Sequence, residues 1–170
     1  MYLYHHVPDK QTGDIIFPLN QLKEKYPDIY TKQNAKYDNI KEKDVEIPGF
    51  GSWNDCINLM PVSPGLVKEE LEKFNHDTNW LWTFYKIDSE TLDNSRLVIM
   101  VPLNVNDIAR RQFIKFNKTN FDKYCHIGGV TRQRYQNAKD NNEQPNTFAG
   151  VPHVLYKGSI DTSNLEIIEF

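Results

Sequence analysis

The sequence predicts an α+β fold, a single domain over residues 1–170 with a mainly antiparallel sheet core and short helices. Two observations lead there. Strand-like runs stand at both ends of the chain while helix-like stretches gather in its first half, which is not the alternation of a parallel βαβ design. No repeat and no linker divides the 170 residues, a length that suits one domain with a real core. Aromatic residues make up 12% of the chain, so that core should lean on Tyr, Phe and Trp.

The opening run YLYHHV is rich in strand formers and stops at Pro8, so it reads as a short strand. Gly13 then offers a turn, and a short helix begins near Pro18 with Leu19 and Leu22 on one face. Pro27 and Asp28 fit the first turn of a second helix. Ile29, Gln33 and Lys36 make only a weak stripe, so this helix should be half exposed. Lys41 to Glu46 reads as a solvated loop and PGFGS as a turn. WNDCINLMPVSPG reads as a buried strand of about six residues that Pro61 ends.

The strongest helix signal follows. Ser63 is a candidate N-cap, Pro64 suits the first helical position, and Val67, Leu71 and Phe74 share an apolar face. Glu69 and Lys73 are spaced for an acid-then-base pair on the polar side. WLWTFYKID and RLVIMVPL are the clearest strands, joined through SETLDNS. FAGVPHVLYKGS and LEIIEF read as two closing strands.

Several classes drop out at this level. No apolar run approaches the roughly 18 residues of a membrane helix, and no secretory signal is legible. Two cysteines, Cys56 and Cys125, make no disulfide framework, so a reduced, cytoplasmic setting is the expectation. His5, His6, Asp55, Cys56, Cys125, His126 and His153 are ligand types without metal-binding spacing, and no metal is expected. Adjacent His5 and His6 would point to opposite faces of a strand. No nucleophile elbow and no phosphate loop is present. The glycines of HIGGVTRQR fit a tight turn, or amides facing an anion.

Charge is unevenly spread. Between residues 110 and 139, Arg110, Arg111, Lys115, Lys118, Lys123, Arg132, Arg134 and Lys139 face only Asp122, so that segment is +7 within a chain of net charge −3. Phe113, Phe116, Phe121, Tyr124 and Tyr135 are interleaved with these cations. Cations beside stackable rings are the two components of single-strand binding, with Arg110, Arg111, Lys115, Arg132 and Arg134 as the candidate contacts. The plainer alternative is an amphipathic segment whose rings enter the core.

Taken in order, YLYHHVP, NDCINLMPVSPGL and PHVLYKGSID resemble landmarks of the ADP-ribosyltransferase-like fold. The resemblance is nearest, at a distance, to the DarT-type enzymes that attach ADP-ribose to DNA. It implies a curved, mainly antiparallel sheet core, NAD as co-substrate and transfer of ADP-ribose to a macromolecular acceptor such as nucleic acid, in the setting of a bacterial toxin or effector. On this resemblance His5, following Tyr4, would hold ribose, Asn54 and Asp55 would open the pocket strand, and Tyr30 would stack on the nicotinamide. Ser63 stands where an arginine is expected, and His153 stands at the position of the catalytic glutamate. A neutral imidazole there stabilises developing positive charge less well than a carboxylate. RNA 2'-phosphotransferases of related fold use Arg-His-Arg groups around a phosphate, for which His153, Arg132 and Arg134 would be available. The competing class is a non-catalytic module that binds single-stranded nucleic acid or an acidic protein, with structural histidines.

Overall fold

The computed structural model describes residues 1–8, 13–35, 45–79, 81–104, 110–148 and 150–170. In chain order its elements begin with strand β1 (Tyr2–His6), strand β2 (Ile15–Ile16), helix α1 (Leu19–Lys25) and helix α2 (Pro27–Ala35). Strands β3 (Glu46–Ile47), β4 (Gly51–Ser52) and β5 (Cys56–Leu59) precede helix α3 (Pro64–Lys73). Strands β6 (Thr83–Asp88), β7 (Leu97–Pro102) and β8 (Arg111–Lys115) lead to helix α4 (Gly129–Asp140). Strands β9 (His153–Lys157), β10 (Ile160–Asp161) and β11 (Glu166–Glu169) follow.

All named strand pairings are antiparallel. β1, β6 and β11 form one sheet with β6 at its centre, and the other main sheet runs β5–β9–β7–β8. A single bridge joins the edges of these two sheets. Tyr4 N–H donates to the Met60 carbonyl at 2.9 Å, and Met60 N–H returns a bond to the Tyr4 carbonyl at 2.8 Å. β1 and β9 therefore lie on opposite sides of the end of β5.

The core fills both angles of this junction. Leu3, Leu59, Ile87, Ile99 and Val154 are buried in one cluster with Phe116 and Phe121. Met60, Val62, Val67, Leu71, Trp82 and Tyr135 form a second beneath α3 and α4. Each fully buried aliphatic or aromatic side chain stabilises the fold by about 1.5–3 kcal/mol. The result is a mixed α/β domain of four helices and antiparallel sheets among the described residues.

Several elements differ from the sequence reading. The strand expected from Trp53 onward covers only Cys56–Leu59, because Trp53–Asp55 closes a 3-10 turn capped by Ser52, whose Oγ accepts from Asn54 N–H. Lys73 bonds Glu70 rather than Glu69, because Glu70 is turned into the protein, where Arg132 also reaches it. Ser63 occupies the N-cap position of α3, but its side chain makes no capping bond. Helices are not confined to the first half, since α4 covers much of the basic segment. Lys36, residues 41–44 of the expected loop, and Trp80 lie outside the described residues.

Candidate functional site

The junction of β1, β5 and β9 gathers the polar groups that the apolar core around them does not explain. His5 is half-buried, and its Nδ1 lies 2.9 Å from the Asn58 carbonyl oxygen. A carbonyl only accepts, so Nδ1 carries the proton and neutral His5 presents a bare, accepting Nε2. Burial lowers its pKa from the ordinary 6.5; the bond to Asn58 opposes that, and neighbouring His6 adds to it. His6 itself is exposed, with its ring set edge-on to Phe84 at 5.5 Å.

His153 repeats the arrangement from the other side. Its Nδ1 lies 2.8 Å from the Val151 carbonyl, which again leaves Nε2 as the acceptor. Burial lowers its pKa, with the Val151 bond in partial opposition. Val154 pairs with Leu59, so the same antiparallel register runs on to Met60 and His153. Two strand spacings set the His5 and His153 backbones about 10 Å apart.

Asn58 lies on β5 between the strands that carry them, with the His5 side chain on the opposite face of the sheet from its own. It faces Leu155 across the β5–β9 ladder, and alternation puts its side chain on the same sheet face as Cys56 and His153. Its Oδ1 is buried and has no hydrogen-bond partner among the described residues.

The other expected site residues are more scattered. Asp55 Oδ1 accepts from Asn20 Nδ2 at 2.7 Å, and the Asp55 carbonyl accepts from Gly158 N–H at 3.2 Å. Asn54 belongs to the same turn. Both therefore anchor the start of β5, about 10 Å along the strand from Asn58. Tyr30 sits on the α1–α2 pair, with the Lys23 ammonium 6.0 Å from its ring centroid. Ser63 is half-buried, three residues past the junction at Met60, and its carbonyl accepts from Val67 N–H at 3.2 Å.

The basic segment is not a free arm. It folds into β8, a 3-10 stretch over Lys118–Tyr124, and α4. Phe116, Phe121 and Tyr135 are 6%, 0% and 0% exposed, so these rings are core and cannot stack on bases. Phe113 and Tyr124 are half-buried. Arg110, just before β8, and Lys115 at its end are exposed, and the Arg111 guanidinium lies 4.5 Å from the Trp53 ring centroid.

On α4 the arginines serve packing. Arg132 Nε donates to Glu70 Oε1 at 2.7 Å, and Lys73 Nζ donates to Oε2 at 3.0 Å. Burial alone would raise the Glu70 carboxyl, but the bonds from Arg132 and Lys73 outweigh it and hold its pKa below the ordinary value. Arg134 is half-buried and runs against Gly150. An Arg-His-Arg phosphate site around His153 thus loses Arg132 to a carboxylate on α3.

Burial, with Asp55 in support, pushes the Cys56 thiol up to about 11. Burial and then Asp122 push the Cys125 thiol to about 11 as well. Neither is a nucleophile at neutral pH. Among the described residues no helix is long and apolar enough to cross a membrane, and no three His, Cys, Asp or Glu side chains cluster as metal ligands.

Sequence reasoning missed Asn58, Glu70 and Trp53. Asn58 did leave a signal, as the one polar residue inside the apolar run CINLM. No family model matches the chain, and no curated protein or solved structure is significantly similar to it.

Proposed function

We propose that the chain binds NAD or an ADP-ribose-like nucleotide at the β1–β5–β9 junction and transfers ADP-ribose to a macromolecular acceptor, with nucleic acid the first to test. One observation carries the reading. The Asn58 carbonyl fixes the His5 ring so that a bare imidazole nitrogen is available to a ribose hydroxyl. The three segments that resemble the ADP-ribosyltransferase-like fold, far apart in sequence, also supply β1, β5 and β9.

His153 defines the chemistry on offer. Its side chain lies on the sheet face opposite His5, and a neutral imidazole brings no negative charge to the cation that develops as nicotinamide leaves. Turnover should therefore be slow relative to binding. The test is thermal stability under NAD titration. Saturation at about 100 times the dissociation constant adds about 2.7 kcal/mol, which is about 5–10 °C in a domain of this size. His5→Ala should abolish that shift while the free protein still melts cooperatively. An unchanged shift removes His5 from the site. Labelled NAD offered with single-stranded DNA, RNA and protein then identifies the acceptor.

The second reading is a binding module for single-stranded nucleic acid or an acidic protein. It rests on Arg111 held over Trp53, beside exposed Arg110 and Lys115. It requires binding with a steep salt dependence that Arg110→Glu with Arg111→Glu removes.

A further inference from the structure

Each of the two main sheets ends in a strand with backbone groups turned away from the sheet, and the two strands differ in charge. β8 closes one side of the β5–β9–β7–β8 sheet, and β11 closes one side of the β1–β6–β11 sheet. Leu103 N–H donates to the Arg110 carbonyl between β7 and β8. Alternation along that ladder turns the backbone groups of Gln112 and Ile114 toward β7, and those of Phe113 and Lys115 outward. On the other sheet Phe170 and Trp82 exchange both backbone bonds, so Ile168 faces β6 while Ile167 and Glu169 face outward. The outward groups of Phe113, Lys115, Ile167 and Glu169 have no backbone partner among the described residues.

Charge then selects among the possible pairings. Arg111 lies on β8, with exposed Arg110 just before it and exposed Lys115 at its end. Cations on an edge repel the same edge of another copy, and they favour an acidic strand. β11 is such a strand. Lys86 already holds Glu166 at 2.8 Å, whereas Glu169 is exposed and has no ion pair among the described residues. Ile167 is left 54% exposed beside it. Set antiparallel to β8, the register that places Glu169 opposite Arg111 also places Ile167 opposite Phe113. In that register Phe113 and Ile167 exchange both of their outward backbone bonds. We infer that β11 of one copy of this chain adds to the outer edge of β8 of another. The contact is head to tail, so the product is a ring or a growing chain. It is also small, which makes the association weak and concentration-dependent.

The experiment is sedimentation velocity on the whole chain from about 10 µM to about 1 mM, the range in which so small a contact forms. The wild-type mean mass should climb with concentration. Arg111→Glu and Glu169→Lys each set like charges opposite one another, and each should raise the concentration for half-association about fivefold. Mixed in equal amounts, the two variants should associate as the wild type does, because each supplies the charge that the other has reversed. Damage to the fold cannot produce that rescue. Ile167→Lys, at an exposed position, should weaken association while the protein still melts cooperatively. A wild type that stays monomeric throughout overturns the inference, and so does a mixture no more associated than its components. Association unchanged in Ile167→Lys places the contact elsewhere and overturns it too. If Arg111→Glu does not fold, Glu169→Lys and Ile167→Lys decide.

Discussion

Replacing Arg132 with Met tests how the two long helices are held together. Arg132 on α4 donates at 2.7 Å to Glu70 on α3, whose side chain is 7% exposed. Methionine keeps most of the aliphatic packing of the stem and removes the guanidinium. A hydrogen bond to a charged group contributes about 1.5–3 kcal/mol. The Arg132 side chain is 54% exposed, so solvent screens the interaction and reduces that figure to about 1–2 kcal/mol. In a domain of this size that is roughly 2–8 °C in melting temperature.

The effect also carries a pH signature. The folded state holds the Glu70 pKa below its ordinary value of 4.5, so the stability it contributes is fully present above that value and is lost as pH falls through the lower, folded pKa. Urea unfolding of wild type, Arg132→Met, Glu70→Gln and the double variant should show coupling at pH 7 that fades toward pH 3. A single-variant loss below about 0.3 kcal/mol, or coupling that does not change with pH, would refute the reasoning.

Three further outcomes follow from the same structure. His5 and His153 have pKa values lowered by burial, so the folded state resists protonation and stability should fall as pH drops below 6.5; His5→Gln with His153→Gln should flatten that fall in pH-dependent melting, and an unchanged curve would contradict it. Gly158 has φ +121°, and a Cβ there would lie 1.7 Å from Arg96 Nη2; Gly158→Ala should cost about 1–3 kcal/mol in urea unfolding, because the arginine tip can move but the backbone strain stays. Cys56 and Cys125, both raised to about 11, should resist thiol labelling at pH 7 in the folded protein and react in urea; fast labelling of native protein would show that they are not held protonated.

The parts of this fold that were legible in the sequence are those governed by local rules. Pro8 bounds β1, Pro64 starts α3, and the apolar runs of β6 and β7 needed no partner to be recognised. Long-range contacts decided the rest. Nothing local says that Phe116 and Phe121 enter the core while Phe113 stays near the surface, because the interleaving of rings and cations looks the same for both. The strand from Trp53 is shortened by a side-chain cap and by Asn20, a residue on another element. For the site, the sequence singled out His5 and His153 separately. Their relation to Asn58 appears only when β5 is seen between β1 and β9, a pairing that joins segments more than fifty positions apart.

The three-stranded sheet has a consequence for how the chain comes to be folded at all. Its central strand, β6, must wait for partners from both directions, with Tyr2 pairing to Asp88 and Lys86 pairing to Glu166. Such distant pairings are slow to form, because the intervening loops must close before any contact rewards them. As a ribosome makes this polypeptide, β1 and its His5 stay without a finished sheet until residues 166–169 have left the exit tunnel. The environment of His5 is therefore among the last features to mature, and a chain interrupted before β11 would build the β5–β9–β7–β8 sheet while β1 and β6 still lack their third strand; under the nucleotide reading proposed above, such a chain would not bind.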